Sequence, residues 1–169
     1  MTPDKKRSIT VEWDDISPSL EMAATRSGLE YMQAMVTGEA PAAPIAKLMN
    51  IEAAEVTEGR AVFYGTPGEQ HFNPMGTVHG GFAATLLDSA LGCAVHSTLE
   101  QGYLYGTVQL NVNLTRPIMA DVGVMVCEGT VVHRGRRMIT AEATLTGKED
   151  GKLYAHATTV CFVTELPGK

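Results

Sequence analysis

The chain has 169 residues, 44% of them hydrophobic, with 19 acidic against 13 basic side chains and a formal charge of −6. That length and apolar content suit one globular domain with a sizeable core. The acidic balance argues against a general nucleic-acid or anionic-membrane binder, because those partners select a basic surface.

No apolar run reaches transmembrane length, and the opening MTPDKKRSIT lacks the apolar stretch of a secretion signal, so a cytoplasmic location without membrane contact is expected. Residues 1–16 are polar and predict a poorly ordered tail, with Trp13 as the side chain able to tie it down. Ser17-Pro18 is a cap and first-turn signal for a helix ending at Gly38, with Gly28 a weak point inside it. A Pro/Ala loop completes this N-terminal unit, residues 17–44. Met32, Met35 and Met49 read as ordinary core, the other reading being the lining of an acyl pocket.

The main domain is expected over residues 45–165. It opens with a strand at 46–57, the turn Glu58-Gly59 and a strand at 60–66. A Pro- and Gly-rich loop, PGEQHFNPMGTV over 67–78, delivers the chain to its most informative stretch, HGGFAATLLDSALGCAVHST at 79–98. On a helical wheel Phe82, Leu86, Leu87, Leu91 and the alanines between them fill an arc far wider than one amphipathic stripe, which predicts a helix buried on most sides. The narrow remaining arc holds Thr85, Asp88, Ser89, Gly92 and His96. Asp88 thus sits mid-helix at the margin of the apolar arc, an expensive place for a carboxylate. His79, Gly80 and Gly81 open the helix, where the first N–H groups lack intrahelical partners and glycine lets a ligand approach closely. A polarised carbonyl or an oxyanion would be welcome there.

After the helix, Val108, Leu110, Val112 and Leu114 alternate with polar residues in a strand that Pro117 ends. Strands at 121–133 and 136–147 follow, joined through His133-Arg134-Gly135-Arg136, and a last strand at 152–163 is introduced by Asp150-Gly151. One long buried helix with antiparallel strands around it is an α+β arrangement whose sheet must curl to cover the helix. Cys93, Cys127 and Cys161 lie in apolar segments without metal-ligand spacing and read as core residues, so no metal centre is expected.

The run Asn73 to Gly81, NPMGTVHGG, followed by Asp88 and by the strand GTVQLNV at 106–112 ending in Arg116-Pro117, closely resembles the hotdog-fold acyl-CoA thioesterases of the phenylacetate-pathway, PaaI-like type. The likeness covers about residues 45–163. It implies the hotdog fold, here with an extra N-terminal helix. It also implies that the Gly80 N–H binds the thioester carbonyl and that Asp88 acts from the neighbouring subunit as nucleophile or general base. Asn73 would help hold the attacking group or water, His79 would steady the loop or the leaving sulfur, and Thr107 would orient the water. A thioester carbonyl is electrophilic and its thiolate leaves readily, so a carboxylate and one or two N–H donors suffice without cofactor or metal.

Coenzyme A, as part of such a substrate, is a polyanion that an acidic protein must meet with a local cation cluster. Arg134, Arg136 and Arg137 at a strand turn and Arg116 at another strand end are the candidates, with Gly81 beside them on the substrate side. Open strand edges and half a site per subunit predict a homodimer, and the PaaI-like type implies a dimer of dimers, a homotetramer. A non-catalytic acyl-CoA-binding module and a hotdog hydratase or dehydratase are the alternative functions. The acyl group, and coenzyme A against a carrier protein as its bearer, stay open.

Overall fold

The structure, a computed structural model, describes residues 6–166. The central helix forms over Gly80–His96 (α4), and its Phe82, Ala83, Leu86, Leu87, Ala90, Leu91, Ala94 and Val95 are at most 1% exposed. A six-stranded, wholly antiparallel sheet wraps it: Ile51–Thr57 (β1), Arg60–Gly65 (β2), Tyr103–Leu114 (β3), Met125–Arg134 (β4), Met138–Gly147 (β5) and Leu153–Glu165 (β6). The strand order is β1-β2-β4-β5-β6-β3. Phe63, Met125, Cys127, Ile139, Leu145 and Cys161 are the inward members of the strand alternation and meet the helix in one core. At about 1.5–3 kcal/mol for each large apolar side chain buried, the contact between helix and sheet dominates the stability of the fold. This is the α+β hotdog architecture with its N-terminal helical addition.

The N-terminal unit departs from expectation in two places. The helix expected over 17–38 is two helices, Ser17–Thr25 (α1) and Gly28–Thr37 (α2). Ser27 breaks it by capping α2: its hydroxyl accepts the Glu30 N–H while the Glu30 carboxylate accepts the Ser27 N–H at 2.9 Å, a reciprocal capping box. The strand expected from residue 46 begins at Ile51, because Pro44 starts a short helix, Pro44–Met49 (α3), which ends at Asn50 in the left-handed region with φ 52°. Trp13 does not tie the tail down, being 60% exposed. An ion pair of 2.7 Å between Arg7 and Glu69 connects that segment to the loop before α4, while residues 1–5 of the expected tail lie outside the described residues. Met32 is buried and Met35 and Met49 pack half-buried against the same core, the ordinary role read for them.

α2 and α3 pack near β1 at one side of the sheet. At the other side β3, 12 residues long, has a neighbour only in β6, so its outer edge is open among the described residues.

Candidate active site

The loop before α4 is organised by its own polar groups. Asn73 Oδ1 accepts the backbone N–H groups of Met75 (2.9 Å) and Thr77 (3.2 Å), and its amide donates to Thr77 Oγ1 (2.8 Å). His71, which the sequence did not single out, is buried beneath this loop: its Nδ1 accepts the Gly68 N–H at 2.9 Å, and its carbonyl accepts the His79 N–H at 2.8 Å. The chain therefore reaches the helix on a stiff support.

His79 is the N-cap, its Nδ1 accepting the Gly81 N–H at 2.9 Å, which requires that Nδ1 carry no proton. The Gly81 N–H thus serves the cap. A Cβ there would lie 2.9 Å from the same ring nitrogen, so the second glycine makes room for the histidine. The Gly80 N–H, by contrast, has no acceptor among the described residues. Leu114 at the end of β3 lies over Gly80, its Cδ1 2.6 Å from where a Cβ would stand. Asn73, Thr77, Gly80, Leu114, Arg116 and Ile118 line one cleft.

Asp88 is half-buried on α4 and accepts one protein hydrogen bond, from Thr107 Oγ1 at 3.1 Å. Thr85 and Ser89 beside it do not satisfy the carboxylate, because each hydroxyl donates to a helix carbonyl, of Gly81 and Thr85 respectively. Thr107 is aimed at Asp88 next to an irregularity in β3, where the register shifts between Thr107 and Gln109 and leaves Val108 60% exposed. One turn beyond Asp88, the Tyr105 hydroxyl lies where a side chain at Gly92 would stand, so it fills the notch that glycine leaves. Burial, with a smaller contribution from Asp88, pushes the Cys93 thiol up to about 12, and burial raises Cys161 as well, so both stay protonated at neutral pH.

Eight residues of helix put Asp88 about 12 Å from Gly80 along the axis, too far for both to act on one carbonyl within a single chain. The arginines also divide. Arg134 donates from Nε to the Thr98 carbonyl at 3.0 Å, and Arg134, Arg136 and Arg137 surround surface depressions with Tyr103 beyond the C-terminal end of α4. Arg116 stands apart from them, at the helix start beside Asn73 and Gly80. Among the described residues no cluster of His, Cys, Asp and Glu has metal-binding geometry, and no helix is long and apolar enough to cross a membrane.

A single helix wrapped by an antiparallel sheet, with a half-buried carboxylate and an unclaimed N–H on that helix, places the chain in the hotdog-fold class. Comparison with known proteins points the same way. Residues 75–154 match the family model described as the thioesterase superfamily. A mouse acyl-coenzyme A thioesterase 13 is 38% identical over 88 residues, 52% of this chain and 61% of that protein. A phenylacetic acid degradation-related protein of Ralstonia eutropha superposes with a TM-score of 0.71 at 30% identity, over 78% of this chain and 98% of that one. A Streptococcus pneumoniae thioesterase solved with coenzyme A superposes at 0.62 with 29% identity, over 69% and 90% of the two chains. The chain belongs to the thioesterase superfamily, on its PaaI-like branch.

Proposed function

We propose that the chain hydrolyses an acyl-CoA to free acid and coenzyme A in a site shared between two subunits. One observation carries this reading: Asp88 and the Gly80 N–H both lack full partners yet lie about 12 Å apart in their own chain. A two-fold axis running beside α4 at right angles to it, level with the midpoint between Gly80 and Asp88, with β3 edges paired, sets two such helices side by side and antiparallel, so the carboxylate of one faces the helix start of the other. The resulting dimer, or dimer of dimers, holds two or four equivalent sites.

In such a site the Gly80 N–H donates to the thioester oxygen and strengthens its bond as negative charge develops there. Asp88, oriented by Thr107, takes a proton from water as the water oxygen adds to the carbonyl carbon, or adds to that carbon itself. The C–S bond then breaks and the thiolate leaves; on the second route water then hydrolyses the mixed anhydride, releasing the acid and restoring Asp88, and neither route calls on a cofactor. His79 and Asn73 act by shaping the loop that presents Gly80; Asn73 keeps one amide hydrogen for a water or an attacking group. Arg134, Arg136 and Arg137 serve the coenzyme phosphates. The name of the mouse relative and the coenzyme A in the pneumococcal structure support acyl-CoA as the substrate.

Thiol release from a panel of acyl-CoAs tests this, with wild type beside Asp88→Asn. Loss of the carboxylate is expected to lower kcat by about 10²- to 10⁴-fold while fold and assembly are kept. Equal rates in both proteins would remove Asp88 from the mechanism, and coenzyme binding without any turnover would favour the binding module.

A further inference from the structure

We infer that Arg116 is a specificity residue for the acyl group, selecting short acyl chains that end in a carboxylate; the inference rests on the thioesterase reading above. Its position is unusually well defined for an exposed arginine. The N–H groups of Thr115 and Arg116 both donate to the Tyr154 carbonyl, at 2.9 and 3.2 Å. Pro117 restricts the residue before it to extended backbone. The guanidinium lies over the Tyr154 ring, 5.9 Å from its centre, and that ring is held in turn by a 2.9 Å hydrogen bond from its hydroxyl to Asp150. On the far side of Pro117, the Ile118 carbonyl accepts the Val78 N–H at 3.0 Å, which joins this segment to the loop two residues before Gly80.

A cation is thus presented in the same cleft as the N–H that would bind the thioester oxygen. It is also uncommitted. The ion pairs among the described residues engage Arg7, Arg26, Arg60 and Lys152, and none involves Arg116. Of the acids near Tyr154, Asp150 is taken by the tyrosine hydroxyl and by Lys152, and Asp121 makes no ion pair with Arg116.

The phosphates of coenzyme A are poor candidates for the missing anion. From sulfur to the first phosphorus an extended pantetheine arm runs about thirteen bonds, roughly 15 Å at about 1.1 Å per bond. The cleft that holds both Gly80 and Arg116 has a volume of only about 260 Å³. An anion held by Arg116 while the thioester oxygen sits on Gly80 in this one cleft is closer to the thioester than the phosphates reach along an extended arm, which points to a group on the acyl side. A guanidinium prefers a carboxylate, which it meets with two parallel hydrogen bonds. The substrate class is the monothioester of a short dicarboxylic acid.

The test compares kcat/KM for succinyl-, glutaryl- and adipyl-CoA with neutral acyl-CoAs of equal carbon number, in wild type, Arg116→Gln and Arg116→Lys. Wild type is expected to prefer at least one dicarboxylic member by about tenfold or more, the worth of one charge-assisted pair. Arg116→Gln should bring that ratio to about one, and Arg116→Lys should restore part of it. A wild-type ratio at or below one throughout would overturn the inference and leave the thioesterase reading intact. So would equal losses on both series in Arg116→Gln, the mark of a contact with the coenzyme arm or with the partner subunit. Failure of wild type to cleave either series would overturn the inference, and failure on the wider acyl-CoA panel as well would defeat the thioesterase reading.

Discussion

His96 and Asp88 lie two turns apart on α4 in different surroundings. Asp88 meets one hydroxyl and an open face, whereas His96 is 7% exposed with the Tyr31 and Tyr105 rings at 5.4 and 5.5 Å. Burial disfavours the imidazolium and pulls the His96 pKa down to about 4. Between the unfolded value near 6.5 and about 4 the unfolded chain binds the proton and the native chain does not, so stability falls with pH through that window. The loss approaches about 3 kcal/mol at its acid end. Denaturant melts at pH 7.5 and 4.5 should show it, and the difference between wild type and His96→Phe removes the carboxylates from the comparison; equal pH dependence in both would contradict the assignment. This environment was not legible in the sequence, because Tyr31 comes from a helix some sixty residues away. Asp88 was legible, since a carboxylate inside an otherwise apolar helix stands out by residue type. Asn73 and His79 were legible as positions only. Their hydrogen bonds run within their own loop and cap, and that geometry depends on backbone angles that residue types do not state.

Among the elements, α4 and the number and order of the six strands were legible, because a wide apolar arc and alternation bounded by turn signals each favour one structure, but β1 and β4 start at Ile51 and Met125, later than the expected 46 and 121. The N-terminal helices were not legible. A serine inside a helical pattern can be tolerated or can cap a new helix, and here tertiary contact selects the cap: Gly28 donates its N–H to the Leu99 carbonyl at 2.9 Å and lies against the backbone of His96. A Cβ at position 28 would meet the His96 carbonyl oxygen, a backbone atom that cannot swing aside. Gly28→Ala, which would be helix-favouring on propensity alone, is therefore expected to destabilise the protein by about 1–3 kcal/mol. Thermal and urea unfolding would measure this, and a neutral or stabilising result would show that α2 docks less tightly than described. The register shift at Thr107 was equally hidden, because an alternating pattern reads through a single extra residue.

For the whole molecule, the sequence motif names the groups of the site but says nothing of the distance between them. In the fold that distance becomes the chief evidence: Gly80 and Asp88 stand about two turns apart on one rigid helix, while β3, 12 residues long, has an outer edge that no strand among the described residues pairs. The central claim is that each reaction centre takes its carboxylate from one chain and its N–H from the other. Mixing two impaired proteins tests this most directly. Asp88→Asn removes the carboxylate, and Gly80→Pro removes the N–H at a first-turn position where proline fits a helix and where a Cβ meets the tip of the Leu114 side chain. In a mixed dimer one site inherits both lesions and the other inherits neither. After unfolding and refolding together in equal amounts, random pairing should restore about a quarter of the wild-type thioesterase activity from parents that each have almost none. A mixture no more active than its parents, with mixed dimers demonstrably formed, would place the whole site within one chain and contradict the account.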